Sequence, residues 1–257
     1  MKATNFLNTH LIAIKTTIEI LKNGKIWLYF IPSLLVCLFF LLLRSIFHLG
    51  ETSEQLLNDS TSWYQFLFGK IGALLDFFIT QLYIFIVITI LSPVNTMLSE
   101  KVDTLLTGNK FTFSLLRLFN DFVRMIFIVI IALTIEFSIL IAWWLFAFIF
   151  GLTGTLFYEI ITLFIGAFFF GFTFYDHSLE RYQVGIFQSI GFAFTKIPLV
   201  LTTGIIFKTL YYFPYFWDVP YLGIMLAPIF TTIIATVVYL YDRKILPKKN
   251  DYSSIDN

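Results

Sequence analysis

The sequence predicts an all-α integral membrane protein, a helical bundle with long transmembrane helices, and three observations carry that expectation. Of 257 residues, 58% are hydrophobic and 20% aromatic but only 13% are charged, with a mean hydropathy of +0.85. A soluble domain needs about 25% charged residues to wet its surface. The apolar residues gather into six windows nearly free of Asp, Glu, Lys and Arg, each close to the roughly 20 helical residues that cross a ~30 Å hydrocarbon core. Basic residues, finally, concentrate in alternate connections, as they do when one side of a membrane retains them.

Ahead of the first window, Leu7, Leu11, Ile14, Ile18 and Leu21 recur at steps of four and three, with Asn8, Lys15 and Lys22 off that face. This periodicity predicts an amphipathic helix lying in the interface or packed on the bundle. No small-x-small cleavage site follows the first apolar run, so no cleavable signal is expected. The windows are 26–43, 71–91 with Asp76 inside, 125–150 with Glu136 inside, 160–175, 197–217 interrupted by Lys208 and Pro214, and 219–241 with Pro228. The fourth is short and the fifth is broken. Either a crossing or a re-entrant half-membrane hairpin fits them, and a hairpin returns to its own side, so loop charge does not separate the two.

Between the second and third windows, Ser92-Pro93 reads as an N-cap and first helical residue and Gly108-Asn109 as the stop, which predicts a separate helix of some fifteen residues. Met97, Leu98, Val102, Leu105 and Leu106 would lie toward the membrane, with Glu100, Lys101 and Asp103 facing water. A further helix begins near Ser114 and continues into the third window. Residues 1–247 form a single membrane-embedded domain, and the polar tail 248–257 has no periodicity and is expected to be disordered.

Lys2, Lys15, Lys22 and Lys25 precede the first window, and Lys101, Lys110, Arg117 and Arg124 separate the second from the third. Arg181 and Lys196 lie between the fourth and fifth, and Arg243, Lys244, Lys248 and Lys249 follow the sixth. Fourteen of the seventeen basic residues thus share one side, while 151–159 has none. Both termini are expected to face the cytoplasm. The net charge of +1 indicates no nucleic-acid partner, and the lone Cys37 excludes a disulfide framework.

Hydrolase, zinc-protease and P-loop signatures are absent, and His10, His48 and His177 fall in three separate regions. No enzyme activity and no cofactor are expected. Asp76, Glu136 and Lys208 stand inside apolar windows, where an ionisable residue costs about 2.5–3.5 kcal/mol on insertion scales and marks bundle interiors or aqueous paths. Glu136 is the deepest of the three, and either a hydrogen bond or ion pair to a neighbouring helix, with Lys208 as the partner, or a role in transport accounts for it. Asn23-Gly24-Lys25 precedes the first window. Gly24 and Lys25 offer an anion backbone N–H groups at a helix start and one positive charge. The plainer reading of the same residues is a turn whose Lys25 snorkels to lipid phosphates.

Three stretches carry a resemblance. Ser92-Pro93-Val94-Asn95-Thr96-Met97-Leu98-Ser99-Glu100 continues to Leu105-Leu106-Thr107-Gly108, Phe174-Tyr175-Asp176 leads to Val184 and Phe187, and Gly24 stands eight residues before Pro32. In these features the chain, from its N-terminal helix to Arg243, resembles the CysZ sulfate-permease family and the wider etoposide-induced protein family. The resemblance implies an all-helical membrane bundle with half-membrane helical hairpins, assembly as a homo-oligomer in the lipid bilayer, and sulfate entry across a bacterial cytoplasmic membrane. It gives Pro32, Pro93, Asn95, Glu100, Gly108 and Asp176 structural roles. In sulfate-transporting members the Gly is followed at the second and third positions by paired arginines. Here those positions are Ile26 and Trp27, which supply no bidentate donors. The expected function is a permease or channel-like protein for sulfate or another small oxyanion, the alternative being a membrane scaffold that transports nothing.

Overall fold

The computed structural model describes residues 3–23, 26–47, 63–111, 114–214 and 221–246, and among these the regular structure is all helical. Helix α1 (Ala3–Asn23) is followed by a 3-10 turn (Trp27–Tyr29), α2 (Phe30–Phe47), α3 (Trp63–Thr107), α4 (Leu115–Ile149), α5 (Leu156–Arg181), α6 (Ile186–Thr195), α7 (Ile197–Tyr212) and α8 (Tyr221–Asp242). Four helices are long and apolar enough to cross a membrane, in α3, α4, α5 and α8, or six if each of two bent pairs counts as one span. The chain is thus an all-α membrane-type bundle. The fifteen-residue connection after α2, the expected site at Gly24 and Lys25, and the polar tail lie outside the described residues.

Two expected boundaries are corrected. Ser92-Pro93 starts no helix, because α3 passes through Pro93 for 45 residues, about 65–70 Å of rod. Proline removes one rung of the ladder, and packing by neighbouring helices holds the rest. The Thr89 hydroxyl also turns back onto the Phe85 carbonyl at 2.7 Å. Gly108 does end the helix, at φ +78°, with its N–H on the Thr104 carbonyl at 3.0 Å. The second correction concerns the short fourth window. Helix α5 has 26 residues, since it continues through Glu159 at one end and Asp176, Glu180 and Arg181 at the other. Exposed Glu159 lies in the first turn of α5, where a negative charge favours the helix dipole, and Asp176 and Arg181 are buried by ion pairs with Arg124 and Asp103, so none of these charges ends the helix.

Helix α4 begins as expected, with Ser114 Oγ accepting the Arg117 N–H. Pro32 falls in the first turn of α2, where a missing N–H costs little. Helices α6 and α7 meet at 93°, with Pro198 in the first turn of α7 and Lys196 at the elbow. Sixteen residues give α7 a length of about 24 Å, short of a full crossing. Lys196 Nζ fixes the elbow to the end of α8 through Asp242 Oδ1 at 2.8 Å.

Helices α5 and α7 lie nearly in backbone contact. A Cβ at Gly204 would stand 1.6 Å from the Ala167 carbonyl oxygen, and one at Gly171 would stand 2.0 Å from that of Val200. Small residues let helices approach closely where lipid offers no hydrophobic drive between them. Above this crossing the core is aromatic. Phe85 stacks on Phe170 at 4.5 Å, and Phe207 sits 5.2 Å from Phe170 and 5.0 Å from Phe174.

Helix α1 packs on α7 and α8, but its expected apolar face is split: Ile14 and Leu21 pack on the core, while the other three residues of that face point away. Leu7, Leu11 and Ile18 are exposed, whereas His10, Ala13, Thr17 and Ile20 are buried. In lipid the large side chains need no protein cover, and the small and polar ones make the close contact. The His10 ring meets Thr203 Oγ1 at 2.9 Å, and Tyr175 OH meets the same oxygen at 2.9 Å. Leu34, Leu35 and Leu38 on α2 and Phe127, Ile130 and Leu145 on α4 likewise face outward.

The ends of α3, α5 and α8 and the start of α4 gather at one end of the bundle. Arg124 of α4 meets Asp176 of α5, Arg181 of α5 meets Asp103 of α3, and Ser99 of α3 meets Thr236 of α8. This is the basic end. The turn from Phe150 to Thr155, without a basic residue, joins α4 to α5 at the other.

Candidate functional site

Three polar side chains from three helices converge inside the apolar part of the bundle. Gln81 of α3 and Glu136 of α4 are fully buried, and Lys208 of α7 is nearly so. Gln81 Nε2 donates to Glu136 Oε1 at 2.5 Å, and the Lys208 ammonium attracts the same carboxylate. Gly166 of α5 makes their room. A Cβ there would lie 2.4 Å from Gln81 Nε2, 2.6 Å from Lys208 Nζ and 3.3 Å from Glu136 Oε1. Lys208 Nζ also sits 5.4 Å from the centre of the Phe170 ring, a cation–π contact. Glu136 Oε2 and Gln81 Oε1 have no hydrogen-bond partner.

Taking an ion pair out of water costs several kcal/mol per ion, and mutual attraction offsets that only when the remaining donors and acceptors are also satisfied. Here the Glu136 and Lys208 charges attract each other, while Glu136 Oε2 and Gln81 Oε1 accept no hydrogen bond. Leaving a buried acceptor unpaired costs about 1–3 kcal/mol, so the arrangement keeps capacity for a proton or a hydrogen-bonded guest. The groups present are one carboxylate that can take a proton, one ammonium, and one amide with donors and an acceptor. Asp76 lies on α3 five residues before Gln81, and its side chain is outside the described residues.

A second polar region occupies the basic end. Arg124 grips Asp176 bidentately, Nη2 to Oδ1 at 2.8 Å and Nε to Oδ2 at 3.2 Å. It also donates to the Val184 carbonyl at 2.8 Å and to Ser189 Oγ at 3.0 Å. One guanidinium therefore ties α4 to the end of α5, the following turn and α6. Glu100 pairs with Arg117. Asn95 is fully buried, yet neither atom of its amide has a hydrogen-bond partner, so no hydrogen bond from it braces the helix after Pro93.

Asp103, expected to face water, is instead buried against Arg181, with Oδ2 3.1 Å from Nε. Tyr182 OH donates to the same oxygen at 2.9 Å. Burial and the neighbouring Asp103 push the Tyr182 phenol up to about 12, so it remains a donor at any physiological pH. Arg181 Nη1 reaches Ser99 Oγ at 2.7 Å. That hydroxyl also meets Thr236 Oγ1 at 2.8 Å and Ser178 Oγ at 3.3 Å.

The structure brings Glu136 and Lys208 together, as the sequence suggested, and adds Gln81 and Gly166, which nothing in the apolar windows singled out. Ile26 and Trp27 offer an oxyanion no charged or bidentate donor. Ile26 is fully buried, and Trp27 is 63% exposed and stacks on Phe30 at 5.2 Å. A comparison with protein-family models gives no match, and a comparison with curated proteins finds none similar enough to count.

Proposed function

We propose that the chain is a CysZ-like permease or channel for sulfate or another small oxyanion. In this reading it resides as a homo-oligomer in a bacterial cytoplasmic membrane with both termini inside, and it has no enzymatic role. The observation that supports transport over a purely architectural role is the Glu136–Lys208–Gln81 cluster. Two opposite charges and unsatisfied polar atoms inside a lipid-facing bundle are costly to keep, and such residues mark ion pathways and proton relays. The chemistry suggests how the cluster works. While Glu136 is ionised it holds the Lys208 charge and the Gln81 N–H. A proton on Glu136 releases both donors to an oxyanion, so proton and anion occupy the cluster together at little net cost in charge.

The rival reading, a membrane scaffold, draws on Ile26 and Trp27, which replace the paired donors at the first span. Uptake of labelled sulfate into liposomes holding the purified protein separates the two, with phosphate and chloride as competitors. The permease reading expects saturable uptake that rises with an inward proton gradient. It falls at least about tenfold in Lys208→Met, the loss of one charge-assisted contact, and loses its proton dependence in Glu136→Gln. Lys25→Ala reports whether the first-span lysine takes part. Folded, inserted protein that moves no sulfate, phosphate or chloride leaves the scaffold reading standing.

A further inference from the structure

Arg181 uses little of its hydrogen-bonding capacity. Its side chain is 1% exposed, only Nη1 makes a hydrogen bond, to Ser99 Oγ, and neither Nε nor Nη2 has a partner in hydrogen-bond geometry. Asp103 pairs with it, Oδ2 standing 3.1 Å from Nε, and the same carboxylate takes three further donors. Thr107 Oγ1 reaches Oδ1 at 2.7 Å, Asn109 Nδ2 reaches Oδ1 at 3.3 Å, and Tyr182 OH takes Oδ2. A guanidinium carries five N–H donors in a rigid fork that matches a pair of oxyanion oxygens.

The surroundings extend that donor set toward the membrane interior. The contacts Thr96–His177, Ser99–Ser178 and Asp103–Arg181 rise together along α3 and α5, so the two helices run parallel here. Ser99–Thr236 places α8 at the same level. One turn back from Ser99 and Thr236 stand Asn95 and Thr232. The Asn95 amide, the hydroxyls of Ser92, Thr231 and Thr232, and His177 Nε2 all lack hydrogen-bond partners, and each of these residues is at most 2% exposed. Native interiors pair nearly all their buried polar atoms. Uncommitted hydroxyl, amide and imidazole groups on three neighbouring helices, within a few turns of a buried guanidinium that Asp103 balances, have the chemistry of an oxyanion seat. Charge comes from the guanidinium, and neutral donors serve the remaining oxygens.

We propose that the unpartnered Nη2 of Arg181 and the Asn95 amide, with the Ser99, Ser178 and Thr236 hydroxyls between them exchanging their mutual hydrogen bonds for bonds to the ligand, form a binding site for a small tetrahedral oxyanion at the basic end of the bundle. The site lies about 22 Å along α5 from the Glu136–Lys208 cluster. Phe85 and Phe170 stand one turn from Gln81 and Gly166 on the side toward it. The site is independent of whether the anion crosses, because binding is read at equilibrium in detergent and transport is read as flux. A failure of one is therefore distinguishable from a failure of the other.

The experiment is equilibrium binding of labelled sulfate to the purified full chain at constant ionic strength. Inorganic phosphate and a short-chain phosphatidate serve as competitors, and thermal denaturation checks the fold of each variant. Wild type is expected to bind saturably. Displacement by phosphate alone assigns a soluble ion, and displacement by phosphatidate assigns a lipid headgroup as the source of the same chemistry. Arg181→Gln is expected to weaken binding about tenfold to a hundredfold, the loss of a charged donor, and Ser178→Ala by a few fold, while Lys244→Ala has no effect. Because Arg181→Gln leaves Asp103 buried, Arg181→Gln/Asp103→Asn removes both charges together. Undiminished binding in any folded Arg181 variant overturns the proposal. If no Arg181 variant folds, undiminished binding in both Ser178→Ala and Ser99→Ala overturns it, as does the absence of saturable binding to wild type.

Discussion

Removing the Lys208 ammonium leaves a carboxylate deep in the bundle with the Gln81 amide as its donor. Breaking a buried ion pair from one side costs about 3–5 kcal/mol, whereas replacing both charges with neutral groups of similar volume costs far less. Lys208→Met is accordingly expected to lower stability by about 3–5 kcal/mol, and adding Glu136→Gln to restore most of it. Chemical denaturation in detergent reads both, and a double variant no more stable than Lys208→Met alone argues against a Glu136–Lys208 pair. Glu136 and Lys208 were legible beforehand because a charge inside an apolar run is conspicuous. Gln81 was not, since a neutral amide leaves a window intact, and Gly166 matters only for the side chain it lacks. Asp103 was read as facing water and Arg181 as part of the connection between the fourth and fifth windows, and only the fold shows that each buries the other.

At the scale of elements, the α5–α7 crossing is the closest packing in the bundle and allows a sharp contrast between two glycines. A methyl at Gly204 meets the Ala167 backbone and forces the helices apart, so Gly204→Ala is expected to destabilise by about 1–3 kcal/mol. Gly191 on α6 has nothing within 4 Å. There the same change gains helix propensity and is expected to stabilise by up to about 1 kcal/mol. Thermal denaturation of the two variants should move in opposite directions, and equal shifts would count against the close crossing. Sequence periodicity and hydropathy placed α4 and α8 well, because each is apolar over most of its length. They cut α3 at Pro93 and shortened α5, since local signals report what a residue prefers and not what its neighbours will hold in place.

For the whole molecule, the basic end and the uncharged turn from Phe150 to Thr155 lie at opposite ends of helices long and apolar enough to cross a membrane, and the excess of Lys and Arg predicts which end is cytoplasmic. In a Cys37→Ser background, Thr153→Cys is expected to react with an impermeant maleimide in intact cells. Asn109→Cys should react only after permeabilisation, and the reverse pattern would invert the orientation. One unbroken helix links the two ends. Gln81 and Ser99 stand eighteen residues apart on α3, about five full turns and some 27 Å, so the cluster near the middle of the bundle and the hydroxyls near Arg181 occupy the same side of a single rod. Like two lobes on one camshaft, they are phased together: any roll of α3 about its axis swings Gln81 off Glu136 in the same motion that draws Ser99 from Arg181.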